Sequence, residues 1–401
     1  MFELRKKVAI AGVGTTQFAR AIPDKTPTQL RVEAALKAIE DAGLTKDDID
    51  GVVASEGGGE HPRGHIELSE VLGIYTKSIC ISVPMGGGTS GFSLAIARWA
   101  IASGASRNVL IVSGGNTTGQ LGRTSVGHGF TNSLSVSPTH SRTYEHPFGP
   151  LMITFYAALA QRHMHEYGTT SEQLAAVAVA CRKHACLNPD AIMRTPITVE
   201  DVVNSRMISS PFHLLDCCIN SDGAAALVVT SAENARNLRR KPVYILGMGY
   251  AQSAYFMGAL ARGDPKTGFN MVRTVGKNAA DFAFNEAEVS RADIDFVELY
   301  DNFTINPIVQ IEDFGFCEKG EGGAFVEGGR IDPGGELPLN THGGLLSHAF
   351  TPAGYNTWVE AVRQLRGEGG ARQVPNAKLG LCCTVASVIG TFGGVGILSN
   401  E

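Results

Sequence analysis

One strand-forming pattern occurs twice in this chain, and the repeat restricts the folds that the chain can adopt. Val8–Gly14 (VAIAGVG) is matched by Val243–Gly249 (VYILGMG), and Asp48–Val53 (DIDGVV) is matched by Asp293–Glu298 (DIDFVE). Short apolar runs of this kind are typical of buried strands. The repeat therefore predicts a duplicated strand, helix, strand module.

A glycine-rich turn precedes a helical pattern in each copy. Gly86–Gly91 leads into residues 92–103, and Pro352–Gly354 leads into Tyr355–Arg366. The first N–H groups of a helix have no partner within the helix, so both helix starts can bind a polar group. We expect these two starts to face a shared cleft, which is the predicted site.

The length and the order of the apolar runs favour two fused α/β halves. A chain of 401 residues suits two domains of ordinary size. Runs such as Val109–Val112 and Ala224–Val229 alternate with helical patterns, which is typical of an α/β fold. We expect residues 1–240 to form the first half and 241–401 the second. Residues from about 117 to 210 have no counterpart in the second copy and are predicted to form an inserted loop domain over the cleft.

The composition excludes several functional classes. A net charge of -5, with no basic stripe, argues against a nucleic-acid-binding protein. No apolar run reaches membrane-spanning length and no signal peptide is evident, so we expect a cytoplasmic protein. The eight cysteines form no CxxC pair, so no metal site is predicted within the chain.

Four sequence motifs carry a resemblance to a known family. They are Asn220–Ala226 (NSDGAAA), Leu299–Thr304 (LYDNFT), Phe314–Gly323 (FGFCEKGEGG) and His342–Ser347 (HGGLLS). Together with the two similar halves, they resemble the thiolase superfamily, in the group related to sterol carrier protein thiolases. The resemblance covers almost the whole chain. It implies a layered α-β-α-β-α fold and a homodimer.

The positions that carry thiolase chemistry are altered. The nucleophilic cysteine of the family's Cys-x-Ser-Gly turn is replaced by Gly88, within Gly88-Thr89-Ser90-Gly91. The second motif has Tyr300 in place of an amide or imidazole, and the third reads Ala349-Phe350-Thr351 without its histidine. Residues 384–387 replace the last cysteine turn, although Cys382 and Cys383 lie just upstream, on a predicted strand.

These losses point to a reaction without a covalent acyl-enzyme. The pattern resembles the cysteine-less thiolase-fold aldolases of steroid side-chain degradation, which implies retro-aldol cleavage of a β-hydroxyacyl-CoA. Tyr300 is the first candidate for the acid/base and Tyr355 the second. A free phenol has a pKa near 10, so we expect a helix N-terminus or a hydrogen-bonding partner to lower it. Backbone N–H groups near Gly88 and in the turn around Gly390–Gly394 are the predicted oxyanion hole.

Further residues of the predicted cleft receive supporting roles. His342 and His348 are candidates to reach the thioester carbonyl. Asp301, Asn302 and Phe350 are predicted to contact the substrate or to orient Tyr300. Gly88, Ser90 and Gly393 are the residues predicted to lie in the turns that form the oxyanion hole.

The resemblance also implies partners and leaves two other functions open. Coenzyme A is expected as part of the substrate, with no covalently bound cofactor. A small partner protein with an OB fold and a zinc-binding segment, of the DUF35 type, is implied. The first alternative is a thiolase-type acyltransferase that uses Cys382, Cys383 or a residue of a partner protein in an unusual arrangement. The second is a non-catalytic subunit that binds acyl-CoA.

Overall fold

The structure is a computed structural model that describes residues 4–56, 64–83, 86–116, 152–253, 263–350, 354–384 and 392–401. The helices in these ranges are α1 Pro27–Ala42, α2 Gly64–Leu72, α3 Thr89–Ala102, α4 Met152–Tyr167, α5 Ser171–Cys186, α6 Val199–Val203, α7 Ala232–Ala235, α8 Gly276–Ala287, α9 Ile305–Asp313, α10 Gly322–Phe325 and α11 Tyr355–Arg366. The strands are β1 Val8–Thr15, β2 Gly51–Glu56, β3 Ile79–Ser82, β4 Asn108–Gly115, β5 Met207–Ser209, β6 Phe212–His213, β7 Gly223–Ser231, β8 Val243–Gln252, β9 Phe296–Glu298, β10 Leu379–Cys383 and β11 Phe392–Ser399. None of these helices has the length and apolar character needed to cross a membrane.

The sheet repeats one strand arrangement on either side of its centre. Nine strands follow the order β3-β2-β4-β7-β1-β8-β11-β10-β9. In the first half β1 is antiparallel to β7, β7 is antiparallel to β4, and β4 is parallel to β2. In the second half β8, β11, β10 and β9 show the same three relations. The predicted duplication of α/β halves is therefore confirmed, and the copies meet where Ala9 pairs with Tyr244.

The glycines of the repeated pattern allow a helix to pack directly on its strand. A Cβ atom on Gly14 of β1 would lie 2.3 Å from the carbonyl oxygen of Ala34 in α1. A Cβ atom on Gly249 of β8 would lie 1.8 Å from the carbonyl oxygen of Ala279 in α8. No side chain fits at such distances, so both halves need glycine at this place in the strand.

Three apolar layers separate and cover the sheet. The central layer contains Leu94 of α3 and Trp358 of α11, packed on strand residues of both halves such as Ile10 and Ile245. Helices α1 and α2 cover the other face of the first half. Helices α8 and α9 cover the second half, together with α4 and α5. This is the predicted α-β-α-β-α layering.

The region predicted as an inserted loop domain is helical in its described part. Residues 152–210 form α4, α5 and α6, while residues 117–151 lie outside the described residues. The start of α5 is fixed by Thr170, whose hydroxyl accepts from the Gln173 N–H at 3.3 Å. Helices α4 and α5 pack on α9 in the second half. The insert therefore belongs to the first half in sequence and contacts the second half in space.

Candidate active site

The N-terminal ends of α3 and α11 meet in the central layer. Trp358 of α11 donates its indole N–H to the Ser90 hydroxyl of α3 at 3.1 Å. The Gly91 N–H donates to the Thr384 hydroxyl at 3.1 Å. The Ser90 hydroxyl therefore links the two helices, and the Thr384 hydroxyl accepts from one of the N–H groups in the first turn of α3.

Tyr300 lies between the two glycine turns. It follows β9 and is 3% exposed. A Cβ atom on Gly87 would lie 2.7 Å from the Tyr300 hydroxyl oxygen, and one on Gly354 would lie 3.5 Å from the ring. Gln310 fixes the backbone, since it accepts from the Tyr300 N–H at 3.2 Å and donates to its carbonyl at 2.8 Å. Within the described part of the chain the hydroxyl has no hydrogen-bond partner, so it is free to bind a ligand atom.

The expectation of a lowered tyrosine pKa is wrong for both candidates. Burial raises the pKa of Tyr300 well above its ordinary value, and the neighbouring Tyr156, Cys218 and Asp301 add to the rise. Burial also raises the pKa of Tyr355 to about 12, although hydrogen bonds partly oppose the rise. Both phenols are therefore protonated at neutral pH. Tyr300 therefore enters a reaction in its protonated form, because a buried phenolate is unfavourable.

Tyr355 contributes to packing in this arrangement. Its side chain is fully buried in the central layer, and its hydroxyl donates to the Ser93 hydroxyl at 2.9 Å. This bond ties α11 to α3. Nothing in the placement favours the predicted catalytic role of Tyr355.

Asp301 holds the turn that carries His348. Its two carboxylate oxygens accept from the N–H groups of Leu345 at 2.8 Å and Leu346 at 3.3 Å. Gly344 is required beside it, since a Cβ atom there would lie 2.0 Å from Asp301 Oδ2 and the backbone φ is +66°. The side chain is fully buried. Asp301 thus has a structural role in place of the substrate contact that was predicted.

Asn302 is likewise occupied by internal partners. Its side-chain oxygen accepts from the Asn306 amide, and its backbone carbonyl accepts from the Cys218 N–H at 2.9 Å. These bonds connect the start of α9 to the segment before β7. The predicted substrate contact is therefore replaced by an internal network.

His342 and His348 lie side by side, and the pKa values of their rings are shifted in opposite directions. The His342 Nδ1 is 2.8 Å from the Glu298 carboxylate, and both side chains are buried. Burial alone lowers the pKa of His342, but the nearby Glu298 carboxylate outweighs it and the pKa is raised. The His348 ring lies 5.1 Å from that of His342. Burial, followed by the charge of His342, lowers the pKa of His348 well below its ordinary value.

His348 is consequently a neutral donor. The Asn188 amide donates to its Nδ1 at 3.2 Å, so the ring proton is assigned to Nε2. The Phe18 ring packs edge-on against the imidazole at 5.1 Å between centroids. The contacts fix the ring and leave the Nε2–H as the group that can face a ligand.

A buried ionic network supports these histidines, and the sequence analysis missed it. Glu298 accepts from the N–H and hydroxyl of Thr341 at 3.0 and 2.7 Å. Thr341 in turn lies 2.9 Å from Glu360, which binds Arg372 through two bonds of 2.8 and 2.9 Å. The sequence contains one indication of this network, because Glu298 and Glu360 each lie within a short apolar run. Only the fold brings them together.

The remaining predicted residues are Phe350, Gly88 and Gly393. Phe350 packs against Tyr300 and Leu345, and its N–H donates to the Ser221 hydroxyl at 3.0 Å. Gly88 ends the short turn before α3. Gly393 is a correction, because it lies in β11, paired with Ala251, rather than in a free turn. Gly390 lies outside the described residues.

No cysteine occupies the N-terminus of α3. Cys382 and Cys383 lie on β10, as predicted, and are fully buried. Burial raises the pKa of Cys382 well above its ordinary value. Cys218 packs against Tyr300, and burial raises its pKa too. The Cys382 and Cys218 thiols are therefore not activated as thiolates.

Comparisons with known proteins agree with this arrangement. Residues 267–400 match the family described as Thiolase C-terminal domain-like. The steroid side-chain-cleaving aldolase of Thermomonospora curvata is 37% identical over 363 residues, which cover 90% of each chain. The acetyl-CoA acetyltransferase of Methanothermobacter thermautotrophicus is 35% identical over 96% of this chain and 98% of that one. The solved structure of the Ltp2-ChsH2(DUF35) aldolase superposes with a TM-score of 0.85 at 34% identity, covering 99% of this chain and 98% of that chain.

The chain therefore belongs to the thiolase superfamily, in the group that includes the steroid side-chain-cleaving aldolases.

Proposed function

We propose that the protein is a lyase that cleaves a β-hydroxyacyl-CoA to a shorter acyl-CoA and a ketone or aldehyde. The observation that carries the proposal is Tyr300, a buried phenol whose hydroxyl has no hydrogen-bond partner among the described residues, in a site whose α3 N-terminus lacks the thiolase cysteine. A retro-aldol reaction needs no covalent intermediate. The similarity to the Thermomonospora aldolase supports the same assignment.

The high pKa of Tyr300 suits a proton relay. In the reaction the β-hydroxyl loses its proton, the Cα–Cβ bond breaks, and the thioester enolate takes up a proton at Cα. Tyr300 accepts the hydroxyl proton as it delivers its own to Cα, so the phenol carries no lasting charge in its buried position. The Nε2–H of His348 and the N–H groups beside Gly88 are the proposed donors to the enolate oxygen.

The main competing function is a thiolase-type acyltransferase. The similarity to an acetyl-CoA acetyltransferase and the position of Cys218 beside Tyr300 favour it. A non-catalytic acyl-CoA-binding subunit is the third possibility, motivated by the altered thiolase motifs. Loss of activity in a folded Tyr300→Phe variant would exclude that third function.

The cysteines decide between lyase and acyltransferase. We expect a Cys218→Ser variant and a Cys382→Ser, Cys383→Ser variant to retain cleavage within about threefold, since a lyase needs no thiolate. Intact-protein mass spectrometry after addition of substrate should show no acyl adduct. An adduct on any of these cysteines, or a loss of more than about a hundredfold in turnover with the fold intact, would favour the acyltransferase.

We further propose a homodimer that works with a DUF35-type zinc protein in the cytoplasm. The solved Ltp2-ChsH2(DUF35) aldolase supports the partner. Strand β3 supports the dimer, because it is the end strand of the sheet and exposes Ile81 by 39%. Such an edge can pair with another strand.

A further inference from the structure

A buried arginine next to the proposed active site has no counter-ion among the described residues. Arg182 of α5 is 4% exposed. It donates from Nε to the Ser347 hydroxyl at 2.9 Å and from Nη1 to the Thr195 carbonyl at 2.7 Å. Both acceptors are neutral, and no carboxylate in the described ranges forms an ion pair with it. A buried charge without an opposite charge is strongly unfavourable. The residue therefore has a charge that a ligand can neutralise.

Arg20, an exposed residue, supplies a second positive charge that acts on Arg182. Its Nη2 contacts the Met193 sulfur at 3.3 Å, two residues from Thr195. It too has no ion pair with a described carboxylate. Burial lowers the pKa of both guanidinium groups, and the charge of Arg20 lowers that of Arg182 further. Two like charges placed together indicate a site for an anion.

The two arginines lie along the turn that leads to Tyr300. Ser347, which binds Arg182, precedes His348 and accepts at its carbonyl from the Met193 N–H at 2.9 Å. Phe18, two residues before Arg20, packs on the His348 ring. The turn continues to Phe350, which packs against Tyr300. These contacts connect the two arginines to the turn beside Tyr300.

We propose that Arg20 and Arg182 form an anion site that binds a phosphate group of coenzyme A. This inference rests on the proposed function, since that function supplies an acyl-CoA as the ligand. Guanidinium groups bind phosphate oxygens through paired, charge-assisted hydrogen bonds. Nη2 of Arg182, which has no acceptor among the described residues, is the donor available for such a bond.

Binding measurements without turnover test the anion site. Isothermal titration would compare coenzyme A, 3′-dephospho-CoA and pantetheine on the wild type, Arg20→Met, Arg182→Met and Arg182→Lys. We expect each Met variant to bind coenzyme A at least about tenfold more weakly, with unchanged affinity for pantetheine, because a charge-assisted bond is lost. Arg182→Lys should recover part of the affinity. If the variants lose affinity for coenzyme A alone, the anion site binds the 3′-phosphate. If they also lose affinity for 3′-dephospho-CoA, the site binds the diphosphate.

Two controls keep the result interpretable. Arg162→Met removes a half-exposed arginine that pairs with Glu166 and should leave every affinity unchanged. Arg20→Met remains informative if Arg182→Met disturbs the turn, since the side chain of Arg20 has one hydrogen bond to a described residue, with the Met193 sulfur. Unchanged coenzyme A affinity in Arg20→Met and Arg182→Met would overturn the anion site. The wild type could need these arginines to bind coenzyme A and yet cleave no hydroxyacyl-CoA. That result would support the anion site and contradict the proposed lyase activity.

Discussion

A Tyr300→Phe variant is expected to lower kcat for hydroxyacyl-CoA cleavage by about 10² to 10⁴, the usual contribution of one general acid/base group. The ring of Tyr300 stays in place in this variant, and only its hydroxyl is lost. Because that hydroxyl has no partner among the described residues, the thermal midpoint should hardly change. Steady-state kinetics and thermal unfolding of the same preparation measure both effects.

Tyr355→Phe is the matched control. It removes a buried hydroxyl that bonds to Ser93, so its free energy of unfolding should fall by about 1 kcal/mol while turnover remains within a few fold. The reverse pattern, an inactive Tyr355→Phe and an active Tyr300→Phe, would move the proton relay to Tyr355. It would also contradict the reaction proposed above.

A Glu360→Gln variant is expected to lower the free energy of unfolding by about 3 to 5 kcal/mol at pH 7, because it leaves Arg372 without its buried partner. The hydrogen bonds and charge of Arg372 outweigh burial and lower the pKa of Glu360 to about 2, from an ordinary value of 4.5. A carboxyl group with a lowered pKa in the folded state stabilises the fold above its ordinary pKa and loses this contribution as the pH falls towards the folded value. The difference between variant and wild type should therefore shrink between about pH 5 and pH 2.

Denaturant unfolding across this pH range measures the effect. Glu336→Gln is the control, because Glu336 pairs with Arg330 at the surface and its side chain is 76% exposed. That change should alter the free energy of unfolding by less than about 0.5 kcal/mol. A Glu360→Gln effect that stayed constant with pH would show that the ion pair with Arg372 is not its source.

Sequence patterns predicted those strands correctly that depend on the type and spacing of neighbouring residues. The repeated pattern of Val8–Gly14 and Val243–Gly249 indicated a strand in each half, and the structure places these residues in β1 and β8. The apolar run with Cys382 and Cys383 indicated a strand, which is β10. Both inferences needed only residue type and spacing.

The chemistry of the site depends on contacts between distant segments, which the sequence does not specify. The pKa of Tyr300 was expected to be lowered by a helix N-terminus or a hydrogen-bonding partner, but burial, with Tyr156 and Cys218 nearby, raises it. Asp301 follows Tyr300 directly and was expected to reach the substrate. Instead it binds the N–H groups of a turn more than forty residues away. Gly393 was assigned to a turn by its neighbours, whereas pairing with Ala251 places it in a strand.

The most direct test of the proposed lyase is its need for free coenzyme A. Purified wild type, with and without a DUF35-type partner, would be incubated with β-hydroxyacyl-CoA and β-ketoacyl-CoA substrates, and the products identified by mass spectrometry. The lyase predicts that a β-hydroxyacyl-CoA yields a shorter acyl-CoA and a ketone or aldehyde in equal amounts when no free coenzyme A is present. Cleavage of β-ketoacyl-CoA alone, and only when free coenzyme A is consumed, would contradict it and establish an acyltransferase.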